Sequence, residues 1–195
     1  MGAVLQHQAI CRALPRTRGA IELRRLDPRD LVDFQAYRTD PEVGRFQGWS
    51  VMNGDEALVF LYDAASAPLL QAQQWTQIAI STAGDGRLIG DIGILMDTDR
   101  TQAEIGFTLA QAFQGQGLAT LAVLEAIDWL FAHTPVHRIV GITDARNLPS
   151  IRLLLRVGMT FEGTAEANFR GELCTEHTYV LVRPPAKVSP CHAHS

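Results

Sequence analysis

The segment Phe113–Thr120, FQGQGLAT, has the residue types of an anion-binding turn. Its two glycines allow the backbone to turn sharply and to approach a bulky ligand closely. The long apolar segment that follows predicts a helix, and the first amides of a helix have no partner within it. Such a helix start binds phosphate or carboxylate groups without needing a lysine. The spacing therefore predicts an anion site around Gly115 and Gly117, and the alternative is a tight turn that needs glycines only for its shape.

Three polar residues elsewhere in the chain could support chemistry near this turn. Asn147 and Ser150 are three positions apart, where an asparagine can cap a helix and a serine hydroxyl can donate a hydrogen bond. Glu104 belongs to the strand-like segment before the glycines, and a carboxylate there can accept a proton. The structural alternatives are a helix cap for the first two residues and an acidic wall for the third.

Two common nucleotide-binding patterns do not fit this sequence. A dinucleotide-binding fold requires G-x-G-x-x-G directly after the first strand of a repeating βαβ series, and here Thr120 occupies the position of the last glycine. The preceding strands are also predicted to be joined by hairpins. A Walker loop is excluded because no Gly-Lys-Ser/Thr sequence occurs.

Composition and charge restrict the class of partner and the compartment. A hydrophobic content of 47% gives a chain of 195 residues a sizeable core in one domain. The net charge of −4 predicts no nucleic-acid or membrane partner, and no apolar run is long enough to span a bilayer. Cys11, Cys174 and Cys191 are too widely spaced for a zinc site or a disulfide framework. We therefore expect a cytoplasmic protein without a metal.

The elements that position the chemical residues follow from periodicity and turn signals. Three strand candidates with short, turn-rich connections predict an antiparallel meander. They cover Trp75–Thr82, Arg87–Asp97 and Ala103–Ala110. Next, Leu118–Ala132 is apolar nearly all round except for Glu125 and Asp128, which predicts a helix packed deep against a sheet.

The remaining segments complete a mixed α and β pattern. Strands are predicted over Ala20–Leu26 and His137–Ala145, helices over Asp55–Ala64 and LPSIRLLLRVG, and a closing hairpin begins at Met159. The fold class is α+β, with a mixed, mostly antiparallel sheet and helices on both faces. We place the domain at residues 19–185, between loose tails at 1–18 and 186–195.

These motifs resemble the GNAT N-acetyltransferases. Gln114-x-x-Gly117-x-Ala119 matches the Q/R-x-x-G-x-G/A signature of that family, and it lies between a strand and a long helix as the family has it. The segments EIGFTLAQAFQGQGLAT and DARNLPSIRLLLRVGMTFEG are similar to the RimJ/RimL branch of ribosomal-protein N-terminal acetyltransferases. The resemblance covers about residues 20–184.

The resemblance implies that acetyl-CoA is the cosubstrate. Its pyrophosphate would lie on the turn, with the amides of Gln116 and Gly117 directed at it. Its pantetheine arm would pair with Phe107–Leu109 like an extra strand, and Gly106 suits a bulge that splays this strand from the next. The implied contacts are Phe107, Thr108, Leu109, Gln114, Gly115, Gln116, Gly117, Ala119, Thr120, Asn147 and Ser150.

The implied reaction is acetyl transfer to a primary amine, either a protein N-terminus or a small molecule. Ser150 matches the family serine that donates to the leaving sulfur, and Leu154 stands where other members have a tyrosine acid. Glu104 is the implied base, with Glu166 or bulk water as alternatives. A CoA-binding regulator without turnover is the second functional class. The acceptor and the oligomeric state stay open at this point.

Overall fold

Eight strands form one continuous sheet in the computed structural model, which describes residues 14–185. The strands are β1 (Arg16–Arg18), β2 (Ile21–Arg25), β3 (Trp75–Thr82), β4 (Leu88–Met96), β5 (Gln102–Leu109), β6 (Arg138–Asp144), β7 (Thr160–Phe169) and β8 (Glu172–Val182). They lie in the order β1-β2-β3-β4-β5-β6-β8-β7. Every neighbouring pair is antiparallel except β5 and β6, which are parallel. The predicted mixed, mostly antiparallel sheet and its meander are confirmed.

Helices cover both faces of the sheet, as the sequence predicts. They are α1 (Leu31–Arg38), α2 (Pro41–Gly44), α3 (Gly54–Ser66), α4 (Leu118–His133) and α5 (Leu148–Arg156). Because side chains alternate along a strand, Ile78 and Ile80 of β3 pack in the core that contains α4 and α5. Ala79, between them, packs in the second core, with α1 and α3. Within residues 14–185, no helix is both long and apolar enough to cross a bilayer.

The predicted loose tail at residues 1–18 is wrong at its C-terminal end, because Arg16–Arg18 forms β1. Arg16 and Arg18 donate to the two carboxylate oxygens of Glu125 in α4, at 2.5 and 2.9 Å. Glu125 is only 5% exposed and faces β1, whereas Asp128, the other residue of the polar stripe, is exposed and accepts a hydrogen bond from Arg18. These ion pairs join distant parts of the chain, which local periodicity does not reveal. Residues 1–13 and the tail at 186–195 lie outside the described residues.

The parallel pair β5 and β6 separates after a short stretch of pairing. Only Gln102–Glu104 pairs with Arg138–Val140, while β5 and β6 continue to Leu109 and Asp144. On its other side β5 stays in continuous register with β4, with Gly106 opposite Gly93. The bulge predicted at Gly106 is therefore wrong, because the strands diverge without an inserted residue. The divergence leaves one edge of β5 open from residue 105 to residue 109.

Close contact between β4 and β5 makes Gly90 sensitive to substitution. A Cβ atom at Gly90 would lie 2.1 Å from the carbonyl oxygen of Thr108, so the backbone must shift to admit it. We expect Gly90→Ala to lower the free energy of unfolding by about 1–3 kcal/mol, as overpacking does. The measurement is urea denaturation followed by circular dichroism.

Gly106→Ala is the matched control for this substitution. A Cβ at Gly106 meets no atom of residues 14–185 within 4 Å, and alanine is slightly favoured over glycine within a strand. We expect a change below about 1 kcal/mol for Gly106→Ala. Equal losses in both variants would contradict the close approach of the two strands.

Candidate functional site

A cleft of about 700 Å³ opens beside the free edge of β5. Its walls come from the end of β5, the glycine turn, the first turn of α4, one side of α5 and the loop after α2. Ten of the residues predicted to contact a cofactor line it: Phe107, Thr108, Leu109, Gln114, Gly115, Gly117, Ala119, Thr120, Asn147 and Ser150. Gln116 is not in the lining, and its side-chain amide donates to the Ala112 carbonyl at 3.0 Å. The cleft thus brings together most of the predicted contacts.

The glycine turn has the left-handed backbone that glycine adopts without strain. Gly115 has a φ of 75° and Gly117 has a φ of 79°, and residues with a side chain rarely adopt such values. Gln114 ties this turn to the end of β5, since its Nε2 donates to the Leu109 carbonyl at 2.9 Å. The backbone conformation alone therefore requires both glycines, and a role in binding depends on the amides that the turn presents.

The first turn of α4 presents amides that the protein leaves without backbone partners. Leu121 is the first residue whose amide bonds within the turn, donating to the Gly117 carbonyl at 3.2 Å. Within residues 14–185, the amides of residues 117–120 donate to no backbone carbonyl, and these four residues line the cleft. Free amides and the positive end of the helix dipole together stabilise an anion at this position.

Arginines on α5 add positive charge beside these amides. Arg152 and Arg156 line the cleft, and Arg156 Nη1 lies 3.5 Å from the Thr120 hydroxyl at the start of α4. Arginine suits phosphate recognition because its planar fork can donate two parallel hydrogen bonds. The sequence interpretation missed both residues, although their spacing of four places them on one face of a helix. The cleft residues therefore fit a ligand with several phosphate groups.

Asn147 starts α5 and places Ser150 between two cavities. The Asn147 side-chain oxygen accepts a hydrogen bond from the Ser150 amide at 3.3 Å, which confirms the predicted cap. Ser150 lines the cleft and also a smaller cavity of about 60 Å³ between β5 and β6, which we call the inner cavity. Its hydroxyl has no hydrogen-bond partner among residues 14–185 and can still donate. Leu154, which takes the place of the family tyrosine, lines the inner cavity.

Glu104 lies outside the lining of both cavities, on the face of the sheet opposite α4. It is opposite Val140, which pairs with Val180, so Glu104 and Glu176 share one face. Burial raises the pKa of Glu104, and the negative charge of Glu176 raises it further. Neither carboxylate has an ion pair or hydrogen bond within the part of the chain that the structure describes. A carboxylate with a raised pKa accepts a proton more readily near neutral pH.

The rival glutamate lies elsewhere on the sheet. Glu166 is exposed on β7 opposite Thr175, while its neighbour Ala165 is opposite Glu176. Because side chains alternate along a strand, Glu166 is on the face opposite to that of Glu104 and Glu176. Sequence interpretation missed Glu176, whose proximity follows only from strand pairing. No group of three or more His, Cys, Asp or Glu residues in the range 14–185 could hold a metal ion.

Comparison with known proteins adds a second line of observation. The model of the acetyltransferase (GNAT) domain family matches residues 20–160. "Probable N-acetyltransferase YjcK" of Bacillus subtilis (strain 168) is 34% identical over 103 residues, which are 52% of this chain and 57% of that protein. "Uncharacterized N-acetyltransferase p20" of Bacillus licheniformis is 26% identical over 144 residues, 73% of this chain and 80% of that protein.

Solved structures share the fold over most of this chain. A GNAT-family acetyltransferase from Bacillus anthracis superposes with a TM-score of 0.77 and 19% identity, covering 86% of this chain and 97% of that one. RimL, a ribosomal L7/L12 alpha-N-protein acetyltransferase in complex with coenzyme A, gives a TM-score of 0.75 at 17% identity with the same coverage. The microcin C7 self-immunity acetyltransferase MccE, in complex with acetyl-CoA and AMP, gives 0.72 at 21% identity over 85% of this chain and 93% of that chain.

The raised pKa of Glu104 predicts a pH-dependent effect of Glu104→Gln on stability. A carboxyl group with a raised pKa stabilises the fold below the ordinary glutamate pKa of about 4.3, and this contribution is lost as the pH rises through the folded value. We therefore expect Glu104→Gln to become more stable relative to the parent protein as the pH rises from about 4 to 7. Urea denaturation at a series of pH values measures this difference.

Glu125→Gln is a control with the opposite sign. Burial alone would raise the pKa of Glu125, but hydrogen bonds from Arg18 and Arg16 outweigh it and lower the pKa. The stability that this carboxylate contributes is present above the ordinary glutamate pKa and lost below it. Glu125→Gln should therefore lose stability relative to the parent protein as the pH rises. A Glu104→Gln difference that is constant with pH would contradict the raised pKa.

Proposed function

The chain belongs to the GNAT acetyltransferase family, and on this premise we propose that it transfers an acetyl group from acetyl-CoA to a primary amine. The observation that carries the proposal is the alignment of three features in one cleft. These are the free amides at the start of α4, the open edge of β5 and the Ser150 hydroxyl at the inner end. The three features match, in the same order, the three parts of acetyl-CoA: its pyrophosphate, its extended amide-containing arm and its thioester.

Acetyl-CoA supplies a thioester carbonyl that an amine attacks and a thiolate that leaves. The protein contributes binding along the whole cleft. The amides of residues 117–120 and the guanidinium groups of Arg152 and Arg156 bind phosphate oxygens. The unpaired edge of β5 at Phe107–Leu109 offers backbone amides to the arm, since the side chains of Gln47 and Gln114 already bond the carbonyls of this edge. Gln114 and Asn147 hold the turn and the start of α5 in place through the hydrogen bonds described above.

Two residues are assigned to proton movement. Ser150 donates a hydrogen bond to the sulfur as the carbon–sulfur bond breaks, because its hydroxyl has no other partner among residues 14–185 and lines both cavities. Glu104 accepts, through a water molecule, the proton that a cationic amine must lose before it attacks, and its raised pKa suits that role. The second proton, lost as the amide forms, passes to the leaving thiolate. Bulk water is the remaining alternative base. Glu166 is the weaker one because it lies on the opposite face of the sheet.

The acceptor that we propose is a protein N-terminus or a small amine. The RimJ/RimL-like segments favour a protein N-terminus, and the solved structures with this fold include a protein that "modifies N-terminal serine of 50S ribosomal subunit protein L7/L12". Glu104 and Glu176, whose carboxylates have no ion pair within residues 14–185, favour an acceptor with a cationic amine. A cytoplasmic location, expected from the cysteine pattern, belongs to the same proposal.

Binding of acetyl-CoA at the glycine turn is tested by thermal unfolding. Acetyl-CoA at a concentration of about a hundred times its Kd should stabilise the folded protein by about 2.7 kcal/mol and raise the Tm. Gly117→Glu places a carboxylate at the free amides and should abolish this shift. Its matched control is Gly86→Glu, which puts the same residue at a positive φ of 70° in the β3–β4 turn, outside the cleft lining.

The control separates backbone strain from loss of the anion site. Both variants should have a lower Tm without ligand, because glutamate is strained at positive φ. Only Gly117→Glu should lose the shift caused by acetyl-CoA. A normal shift in folded Gly117→Glu would overturn the phosphate assignment. Transfer itself is tested by CoA release with N-terminal peptides, polyamines and aminoglycosides, and binding without any release would instead favour the CoA-binding regulator.

Ser150→Ala tests the assignment of the sulfur donor. We expect kcat to fall on the order of a hundredfold, with the Kd of acetyl-CoA changed less than about threefold, because the hydroxyl acts mainly in the transition state. Stability should be nearly unchanged, since the cap of α5 uses the backbone amide of Ser150 and not its side chain.

Asn147→Ala is the matched variant that removes the cap. It should cost about 1 kcal/mol of stability, as loss of a helix cap does. Turnover, binding and unfolding are measured on the same preparations. Normal turnover in a stable Ser150→Ala protein would remove Ser150 from the mechanism.

A further inference from the structure

A loop after α2 forms part of the wall of both cavities. We call residues 45–49 the roof loop. Phe46 and Gln47 line the cleft and the inner cavity. The side-chain amide of Gln47 donates to the Phe107 carbonyl at 3.2 Å, so this loop is attached to β5 beside the space where β5 and β6 diverge. The roof loop is therefore one of the walls that bound the inner cavity.

The tip of the β7–β8 hairpin holds the roof loop from the far side. Arg170 Nη2 donates to the carbonyl oxygens of Gln47 and Trp49, both at 3.0 Å. The end of the roof loop also contacts α1, where the Arg38 guanidinium lies 4.0 Å from the centre of the Trp49 ring. Arg38 is itself fixed by a buried ion pair with Asp91. Arg170 thus connects the hairpin to the middle of the roof loop and restrains the loop there.

Arg170 occupies a backbone conformation that arginine disfavours. Its φ is 54° and that of Gly171 is 85°, so two successive residues at the hairpin tip have positive φ. A two-residue hairpin turn of this kind favours Asn-Gly, and a residue such as arginine is strained there. Backbone strain of this kind persists where the surrounding structure holds it and is common at functional positions, and Arg170 combines it with hydrogen bonds to the distant roof loop.

We propose that Arg170 is a positioning residue that keeps the inner cavity small and so restricts the transferred acyl group to a short chain. The proposal rests on the proposed function, because Ser150, assigned there to the thioester sulfur, lies at the junction of the two cavities. A water molecule needs about 10–15 Å³ of such space, so the inner cavity of about 60 Å³ holds roughly four to six atoms of that size. An acetyl group and an attacking nitrogen fit, whereas a hexanoyl chain would have to extend beyond the inner cavity into the adjoining cleft, where the arm of the proposed cosubstrate lies.

The test is the substitution Arg170→Asn, which removes the two hydrogen bonds from Arg170 to the roof loop without disturbing the hairpin turn. Asn-Gly is the favoured sequence for this turn, so we expect the Tm to stay the same or rise. The Kd values of acetyl-CoA and hexanoyl-CoA are measured by calorimetry on the full chain. We expect the preference for acetyl-CoA to fall on the order of tenfold or more, mainly through tighter binding of hexanoyl-CoA. Hydrogen exchange at residues 45–49 should also become faster.

Two further variants separate loss of the hydrogen bonds to the roof loop from a general effect of losing an arginine. Arg170→Lys should retain most of the preference, because one ammonium group can donate to both carbonyls. Arg25→Ala is the matched control, since Arg25 Nη1 also donates to two carbonyls, those of Ala65 and Ala67, at 3.1 and 2.9 Å. These carbonyls are at the end of α3, outside both cavities, so the preference for acetyl-CoA should not change.

The outcomes distinguish failure of this proposal from failure of the proposed function. An unchanged preference in Arg170→Asn, with faster exchange in the roof loop, would show that the loop does not set the acyl chain length and would overturn the proposal. Unchanged exchange would overturn it as well, because Arg170 would then not hold the loop. The proposed function fails separately if the unmodified protein binds acyl-CoA with the expected preference but releases no CoA with any amine.

Discussion

The separation of β5 from β6 is the feature on which the site depends. A strand edge inside a protein carries backbone groups that need partners, and folds normally pair or cover such an edge. Here pairing stops after Glu104 and Val140, and the rest of this edge of β5 pairs with no other strand among residues 14–185. The glycine turn, the start of α4, α5 and the roof loop all gather around this opening. Each of them either occupies part of the edge or provides groups next to it.

Two glutamine side chains show how the protein occupies the open edge. Gln47 donates to the carbonyl of Phe107, and Gln114 donates to the carbonyl of Leu109. Each amide satisfies a carbonyl that would otherwise lose a partner where the sheet opens. The two bonds differ in consequence. Gln114 fixes the turn that presents the free amides, whereas Gln47 belongs to a loop that contacts the distant hairpin through Arg170.

The sequence predicts the elements and the cleft better than it predicts the contacts between distant segments. Alternation and turn signals locate the strands of the meander, and the glycine signature locates the start of α4. The sequence does not reveal β1, because three residues are too few for a periodic pattern and their stability depends on Glu125 in α4. For the same reason it misses Glu176, which comes near Glu104 only through the order of β6 and β8.

The wrong prediction of a bulge at Gly106 has a different cause. A glycine within a strand often marks a bulge, but it also marks a place where space is left open beside the backbone. The register with β4 runs through Gly106 unbroken, and no atom of residues 14–185 lies within 4 Å of where its Cβ would be. Sequence alone does not distinguish these two uses of glycine. The second is the one that the structure shows.

The distribution of charge explains why net charge says little about the partners of this protein. The chain has a net charge of −4, yet Arg152 and Arg156 line the cleft beside the start of α4, where the proposed cosubstrate would place its phosphates. Glu104 and Glu176 lie on the opposite face of the sheet, where they favour a cation. A local field of each sign attracts a ligand of the other sign, whatever the sum over the whole chain. The proposed anionic cosubstrate and cationic amine can therefore approach the opening between β5 and β6 from different sides of the sheet, an arrangement that suits the direct transfer proposed for them.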